Sequence, residues 1–252
     1  MELGHYKSGA QFWASNSVMA RAASASGLAK AYLMAKDFVI RSGFQNEIDW
    51  QDGLSFETVS ETDFLREMAW VVLSAGFREA VLRKRFHLIS KSFLNWSSAR
   101  EISHAAQTCR TQAMKVFNHR QKIDAILHNV RLVCQAGFPE IKSRIEHQGV
   151  QFLQELTFVG SITAFHLAKN LGLSVVKPDR HLVRTAKATG YACPTSMCEA
   201  IASVVAERIS VVDVVIWRYA TLDPDYETWF SKVARQLNPC PDEKHANRPC
   251  GS

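Results

Sequence analysis

A lone carboxylate in basic surroundings, Asp179 in the stretch K-P-D-R-H, is the residue of this chain best suited by type to do chemistry. Lys177, Arg180 and His181 flank it, and a helix is predicted to start there, so nearby cations and the helix dipole favour its ionised form. An ionised carboxylate can stabilise a developing positive charge and can orient or deprotonate an attacking water. Two interpretations are open: Asp179 is catalytic, or it caps its helix.

A short turn upstream, F-V-G-S at 158–161, joins two helix-like runs and is a candidate anion site. Gly160 permits a positive φ or close approach of the backbone to a ligand. The next helix begins at about 161–163, so N–H groups from Val159 to Thr163 point out of the turn. With the helix dipole they form a phosphate site that contacts no base. The alternative is an ordinary helical hairpin.

The composition is that of a folded, basic protein. The chain has 252 residues, of which 47% are hydrophobic and 21% charged, and its net charge is +6. That length allows one large domain or two small ones, each with a core. The basic balance favours anionic partners such as nucleic acid. Since no run of about 18 apolar residues occurs, we expect no transmembrane helix and no membrane partner.

Cysteine spacing argues against a metal or a cofactor. None of the six cysteines forms a C-x-x-C pair, whereas zinc ribbons and clustered iron–sulfur sites need tighter grouping. The N-terminus also lacks the apolar core of a signal peptide. We therefore expect a reduced, cytoplasmic protein without metal or cofactor.

Helical periodicity dominates the chain and predicts an all-α fold without strands or internal repeats. Ser60 with Asp63 forms a capping-box pattern, and Pro178 is expected in the first turn of its helix. A helix is predicted to run to about Leu156, directly before the F-V-G-S turn. Apolar positions at helical spacing mark further helices, for example Phe64, Leu65, Met68, Ala69 and Val72, or Ile123, Ile126, Leu127, Val130 and Leu132.

We predict three regions along the chain. Residues 1–43 are predicted to be an N-terminal extension or basic surface helix, with a faint likeness to a transit peptide. Residues 44–236 are predicted to form one helical domain with the hairpin at 152–171. Residues 237–252, polar and rich in proline, are predicted to be a disordered tail.

The two candidate features together resemble one family. L-x-F-V-G-S-I-T-A, then N-L-G-L, then V-x-K-P-D-R-H-L-V-R is similar to the pattern of the helix-hairpin-helix DNA glycosylases, which have a V-G hairpin, a helix and V-D-x-H-x-x-R. Asp179 stands at the place of the catalytic aspartate, with His181 and Arg184 in register. The resemblance implies a two-lobed fold, the lobes interleaved in sequence, with a DNA-binding cleft between them.

Two upstream stretches resemble one group of that family, 3-methyladenine DNA glycosylase I. S-A-G-F-R-E-A-V-L-R-K-R at 74–85 is similar to its A-G-L-S-W-x-x-V-L-K-K-R. H-R-Q-K-I-D-A-I-L-H-N-V-R at 119–131 is similar to its H-R-x-K-I-x-A-I-x-x-N-x-R. The resemblance covers roughly residues 44–222, with three motifs in the expected order.

The resemblance implies a DNA glycosylase that flips a base from double-stranded DNA and hydrolyses its N-glycosidic bond. We expect it to act as a monomer. Asp179 would stabilise the oxocarbenium-like sugar. The residues expected at the DNA backbone are Val159, Gly160, Ser161, Thr163, Lys177, Arg180, His181 and Arg184. For each of these cations the alternative to a contact with the DNA backbone is a solvated surface charge. The same two interpretations are open for the basic run 78–91.

Departures from the family pattern bear on the chemistry. Ile162 stands where bifunctional members carry a lyase lysine, which predicts a monofunctional enzyme that leaves an abasic site. Val71 stands at the pocket glutamate of the 3-methyladenine group, and Glu79 replaces its tryptophan. The zinc-binding set of that group is not reproduced.

Because these pocket residues differ from those of the 3-methyladenine group, two classes of excised base remain open. One is an alkylated purine, removed in repair, and the other is a bulky hypermodified pyrimidine of phage DNA, removed in defence. A cationic purine leaves without protonation, whereas a neutral base usually needs a proton donor. Glu67, Glu79 and His87 are candidate donors, each with a structural or surface role as the alternative. Trp50 and Trp70 are candidates to stack on the flipped base, or else belong to the core.

Two other functions compete with a glycosylase. One is a non-catalytic helix-hairpin-helix DNA-binding module that uses only the hairpin and the basic faces. The other is an all-α interaction protein with an incidental basic surface. Loss of activity on substitution of Asp179 would distinguish the glycosylase from the binding module. A salt-dependent affinity for DNA would distinguish these two DNA functions from the interaction protein.

Overall fold

The computed structural model describes residues 25–236, and every regular element among them is helical, so the predicted all-α class is confirmed. Helix α1 covers residues 25–39 and continues through a π-helical turn at Ile40–Phe44. The predicted tail at 237–252 and the start of the predicted extension, 1–24, lie outside the described residues. The other helices are α2 Gln45–Asp52, α3 Glu61–Ser74, α4 Glu79–Ser92, α5 Ala99–His104, α6 Ala106–Val116, α7 Arg120–Ala136, α8 Phe138–Gln148, α9 Val150–Leu153, α10 Ser161–Asn170, α11 Arg180–Ala188, α12 Pro194–Val205, α13 Ile209–Leu222 and α14 Tyr226–Gln236.

Local sequence signals fix several helix ends. The predicted capping box is confirmed: the Ser60 side chain accepts from the Asp63 amide, and the Asp63 carboxylate accepts from the Ser60 amide. Gly137 ends α7 with a φ of 81°, a left-handed conformation that glycine adopts without strain. Pro139 then lies in the first turn of α8, where its missing N–H costs no helical hydrogen bond.

Two predicted boundaries are wrong. The helix expected to run to about Leu156 is interrupted at Gly149, whose φ of 54° and ψ of −129° are not helical, and α9 ends at Leu153. Pro178 does not lie in the first turn of α11, because Asp179 is the N-cap residue and the helix begins at Arg180. Pro178 therefore precedes the cap, which shifts the carboxylate of Asp179 onto the helix start.

The described chain divides into two compact units. The hairpin unit comprises residues 53–177 and holds α3 to α10. Its core lies where α3 packs against α7 and α10, and where α5 and α6 pack against α7. These faces bury a continuous set of apolar side chains, which includes Phe64, Leu65, Met68, Ile126, Val130, Phe152, Leu156, Val159, Ala164 and Leu167.

The C-terminal end of α10 is fixed within this unit by a close backbone approach. Gly172 has a φ of 87°, and a Cβ atom there would lie 2.8 Å from the Phe56 backbone nitrogen. No side chain fits that space, so Gly172 is the residue that lets the chain after α10 pass the turn at 55–56. The hairpin helix is therefore anchored at the end opposite its open N-terminus.

The second unit, which we call the Asp179 unit, comprises residues 25–52 and 178–236. Helix α2 packs against α13, and α11 packs against α12, α13 and α14. Arg218 makes a two-point ion pair with Glu47, with nitrogen–oxygen distances of 2.6 and 2.8 Å. Tyr32 and Lys36 of α1 both bond the Glu207 carboxylate, at 2.5 and 2.8 Å. These contacts tie the N-terminal helices to the C-terminal ones within this unit.

None of the helices within residues 25–236 is long and apolar enough to cross a membrane.

Candidate functional site

The turn before α10 is a tight reversal whose strained residue is not the one expected. The Val159 amide donates to the Leu156 carbonyl at 3.0 Å, and Phe158, the third residue of that turn, has a φ of 67°. This is the pattern of a type II turn, in which glycine is the usual third residue. Gly160 instead has a φ of −79° and a ψ of 179°. Of the two possibilities stated for Gly160, a positive φ or a close approach of the backbone to a ligand, the positive φ does not occur, and Phe158 carries the left-handed conformation.

The N-terminus of α10 is open. The first helical hydrogen bond runs from Ala164 N–H to the Gly160 carbonyl, at 2.8 Å, and the Gly160 cap provides no side-chain acceptor. Within the described residues the N–H groups of Gly160, Ser161, Ile162 and Thr163 donate to no acceptor. Four donors at the positive end of a helix dipole form an arrangement that suits one phosphate.

Among the predicted members of this cluster, Val159 is closed and Gly160 is the most open. Val159 is not an open donor, because its amide bonds within the turn and its side chain is buried. Gly160 has no heavy atom within 4 Å of the position of an added Cβ, so a ligand can approach its backbone freely. Ser161 is exposed and Thr163 is half-buried. The grip on an anion would therefore start at Gly160 and not at Val159.

The hairpin turn is held from below by Asn129 of α7. This fully buried side chain accepts from the Thr157 amide at 2.9 Å and donates to the Thr157 carbonyl at 3.0 Å. An amide side chain thereby pairs with both backbone groups of one turn residue, which fixes the orientation of the turn. Sequence analysis did not single out Asn129, although it is the N of the H-R-x-K-I-x-A-I-x-x-N-x-R stretch.

Asp179 caps α11 with one of its two oxygens. Its Oδ1 accepts from the His181 amide at 2.9 Å and from the Leu182 amide at 3.1 Å. No hydrogen bond within the described residues ends on Oδ2, and the side chain is half-buried. The capping role that sequence analysis left as the alternative is thus present, and it occupies only half of the carboxylate.

The cations next to Asp179 have partners of their own. His181 Nδ1 lies 3.2 Å from the Tyr226 hydroxyl, and burial lowers the pKa of this imidazole. The Arg180 Nε atom lies 3.3 Å from His181 Nε2, and Arg184 pairs with Glu227 at 3.5 Å across an exposed surface. Arg180 and Arg184 are both exposed, so their charges remain accessible to an anionic ligand.

Lys177 belongs to the hairpin unit and is half-buried. Its charge contributes to lowering the pKa of His166 in α10, after burial of that imidazole, which is the larger cause. His166 is therefore neutral near pH 7, and it adds no positive charge to α10.

Glu67 has the most perturbed environment among the candidate pocket residues. Its carboxylate accepts from the Asn170 amide of α10 at 2.9 Å and from Arg66 at 3.2 Å. Burial nevertheless raises the pKa of Glu67, so its carboxyl keeps a proton to higher pH than a free glutamic acid does. Asn170 was not predicted, because nothing local in the sequence indicates that the end of α10 meets α3.

The other pocket candidates have ordinary surroundings. Trp70 is half-buried and packs edge-on against Phe86, with ring centroids 5.0 Å apart. Glu79 forms an ion pair with Arg83 one helical turn along α4, and Arg83 also lies over the Trp70 ring. Trp50 belongs to the Asp179 unit and is 44% exposed. The structure thus brings Glu79 and Trp70 together through Arg83, while Glu67 has different partners.

The basic face predicted on α4 is exposed. Lys84, Arg85 and Lys91 are all solvent-accessible, and so is His87, the third candidate proton donor. Solvent-exposed cations contribute little to the free energy of folding, so these side chains are available to contact an anionic ligand.

Ile162, which the resemblance aligns with the lyase lysine of bifunctional glycosylases, is 44% exposed beside the open amides of α10. An aliphatic side chain at that position cannot form a Schiff base with a sugar. The position is therefore accessible to a ligand. Lyase chemistry at this position is excluded only because the isoleucine side chain has no amine.

A second residue of the 119–131 motif that sequence analysis did not assign, Lys122, has a structural role. Its buried ammonium donates to the carbonyls of Val72 at 2.8 Å and Leu73 at 2.9 Å, and also to Ala75, at the C-terminal end of α3. Burial lowers its pKa to about 8. Lys122 satisfies carbonyls that the helix end leaves open, so it is not one of the cations available to DNA.

Comparison of the chain with protein-family models, with curated proteins and with solved structures finds no match. Residues 25–236 contain no group of three or more histidine, cysteine, aspartate or glutamate side chains able to hold a metal ion. Cys109, Cys134, Cys193 and Cys198 are free thiols. Functional inference therefore depends on the geometry of the hairpin and of Asp179.

Proposed function

We propose that this protein is a monofunctional DNA glycosylase of the helix-hairpin-helix type, which hydrolyses the N-glycosidic bond of a flipped base and leaves an abasic site. The proposal includes the two-lobed fold of that family, with double-stranded DNA in the cleft between its lobes. It requires no metal and no cofactor, and it takes the protein to act as a monomer in the cytoplasm.

The observation that carries the proposal is the open N-terminus of α10. Four amides, from Gly160 to Thr163, lack acceptors within the described residues, and no side chain covers Gly160. Asn129 holds the turn that presents them. A rigid set of backbone donors suits sequence-independent contact with a phosphate, and an enzyme that searches DNA for a rare base needs such contacts.

Asp179 supplies the proposed chemistry. Its Oδ1 atom orients the carboxylate through the α11 amides, and Oδ2 remains to face the reacting sugar. Departure of the base builds positive charge at C1′, which a fixed carboxylate stabilises, and the same oxygen can take the proton of the attacking water. Arg180 and Arg184, both exposed, would contact neighbouring phosphates.

Glu67 bears on the class of base. A carboxyl that burial keeps protonated to higher pH can donate to a neutral leaving base, for which a modified pyrimidine is one example. A cationic alkylated purine needs no such donor. Glu67→Gln should therefore slow release of a neutral base and leave release of a cationic purine nearly unchanged, and equal slowing of both would remove Glu67 from the mechanism.

The deciding experiment measures base release by mass spectrometry from genomic DNAs that carry alkylated or hypermodified bases. Wild type should release a base without cutting the strand, and strand cleavage in the absence of alkali would contradict the argument from Ile162. The matched variant is Asp179→Asn, which keeps the capping oxygen and removes the charge. Absence of any released base from every DNA, with DNA binding intact, would support the second candidate below.

A non-catalytic DNA-binding module remains the second candidate, because the cap on α11 alone is a sufficient structural reason for Asp179. It shares the α10 site and the basic α4 face and lacks the bond cleavage. A steep fall of affinity with salt is expected of both candidates. Salt-independent binding would contradict both and would favour an interaction protein with an incidental basic surface.

A further inference from the structure

An aromatic groove lies in the hairpin unit, and of its lining residues only Arg85 also belongs to the basic α4 face, while none is assigned to catalysis. It has a volume of about 140 Å³ and is lined by Phe77, Val81, Leu82, Arg85, Phe117, Asn118 and His119. That volume is well below the roughly 300 Å³ at which small-molecule pockets begin, so the groove accommodates one ring and not a whole drug-sized ligand.

The walls of the groove are rings in mutual contact. The centroids of Phe77 and Phe117 lie 5.0 Å apart, and His119 stacks on Phe117 at 6.2 Å with 19° between the ring planes. Phe117 and Leu82 are buried and form the floor, whereas Phe77 is 43% exposed. An exposed phenylalanine in an aromatic cluster presents an apolar surface to solvent, where a second planar ring can stack.

Phe158 connects this groove to the hairpin. Its ring meets His119 edge-on, with centroids 6.4 Å apart, and it is 41% exposed. Phe158 lies two residues before Gly160, so within one unit its ring links His119 of the groove to the turn that carries the open amides of α10. A base next to a phosphate held at Gly160 can therefore reach these rings.

The charge around the groove selects the kind of partner. Arg85 lines the groove, and its neighbour Lys84 is also exposed on α4. No acidic side chain lines the groove. Aromatic faces beside cations are the combination that binds unpaired nucleotides, in which bases stack and phosphates pair with the cations.

We propose that the aromatic groove, together with Phe158, is a stacking site for one unpaired nucleobase of the DNA strand whose phosphate α10 holds. This inference rests on the proposed DNA function and adds a contact with a base to a site built for phosphates. It predicts that the protein prefers DNA with an unpaired base over fully paired DNA.

The test uses three fluorescent duplexes that differ at one position and the full-length protein. One duplex is fully paired, one has a single unpaired adenine, and one has an abasic analogue in place of that adenine. Anisotropy titration of wild type should give affinity for the unpaired adenine roughly 10-fold above that for the abasic analogue, as expected for one stacked base. Equal affinity for these two duplexes overturns the inference.

Two variants locate the site. Phe77→Ala and Phe158→Gly should each remove most of the preference for the unpaired adenine. Glycine suits the left-handed backbone at 158, so this variant should melt within a few degrees of wild type. Retention of the full preference in both variants contradicts the assigned groove.

Leu88→Ala is the matched control, because Leu88 is 42% exposed on the same helix α4 and does not line the groove. It should keep the preference, and its loss there would contradict the assignment. If all three duplexes bind equally with a steep salt dependence, this inference fails and the proposed function stands. If none of them binds, both fail.

Discussion

The helices α10 and α11 follow each other in the chain and begin in opposite ways. At α10 the cap is Gly160, and four amides have no acceptor within the described residues. At α11 the cap is Asp179, and its Oδ1 takes two amides. Both starts obey the same rule, that the first turn of a helix leaves donors to be satisfied.

The two helix starts differ in one side chain, the cap residue. That side chain decides whether the site attracts a negative or a positive charge. A glycine cap leaves the positive end of the helix dipole available to an anionic ligand such as a phosphate. An aspartate cap uses part of that field to fix a carboxylate, whose second oxygen is then presented in a defined direction. In the proposed function α10 binds the phosphate and Asp179 at the start of α11 carries out the chemistry, and the following variants test that proposal.

The largest expected effect is that of Asp179→Asn on base release. Asparagine caps helices about as well as aspartate, so the free energy of unfolding should change by less than about 0.5 kcal/mol. Loss of the charge should lower the rate of base release by roughly 10²- to 10⁴-fold. Single-turnover assays with saturating enzyme measure the rate, and Ser60→Ala, which removes the cap of α3, is the control for a pure capping loss. Full activity in Asp179→Asn would show that α11 is capped and nothing more.

The second variant breaks the support of the α10 site. Asn129→Leu leaves the Thr157 amide and carbonyl without their partners in a buried position. We expect a loss of about 2–4 kcal/mol in the free energy of unfolding, measured by urea denaturation. DNA binding should weaken even at temperatures where the variant is folded, because the turn is no longer held. Wild-type affinity in the folded variant would show that the turn holds itself.

The third variant removes a single donor from α10. Ser161→Pro places proline at the first helical position, and the extended conformation of Gly160 is the one that a residue before proline adopts. The variant should fold and lose roughly 10- to 100-fold in DNA affinity, the value of one hydrogen bond to a charged group. Ser161→Ala keeps the amide and is the matched control, which should bind like wild type. An equal loss in both variants would assign the effect to the hydroxyl.

The smallest expected effect concerns the other end of α10, where Asn170 meets Glu67. Because the pKa of Glu67 is raised in the folded protein, the folded state holds its proton more tightly than the unfolded state does. This contribution therefore favours folding at low pH and is lost as the pH rises through the raised pKa. Glu67→Gln should flatten that part of the pH dependence of the melting temperature, with little change at acidic pH. An unchanged pH profile would contradict the raised pKa.

Local patterns in the sequence predicted much of the helical structure. The capping box at Ser60 and the end of α7 at Gly137 follow from chemistry within one turn of helix. The wrong boundaries arose where two local signals competed. Gly149 interrupts an apolar pattern that continues to Leu156, and Pro178 suits a first turn, whereas Asp179 caps the helix and the first turn begins at Arg180.

The candidate site likewise has features that the sequence predicted and features that it did not. That a helix starts at the serine of V-G-S, and that a lone aspartate stands at the start of the next helix, could be read from neighbouring residues. The left-handed turn residue could not, because Phe158 is a poor choice for that conformation and Gly160 a good one, yet the structure uses them in the opposite order. Packing of the turn against α7 overrides the local preference.

By itself the sequence determined the helical class, several of the places where helices start and stop, and the residue types at the hairpin and at α11, since these depend on contacts within a few positions. Only the tertiary structure decided which amides stay open, which oxygen of Asp179 is free and which side chains support them. Asn129 grips Thr157 across 28 residues, and Glu67 meets Asn170 across 103. Such pairs depend on how helices pack, and no local spacing in the chain specifies them.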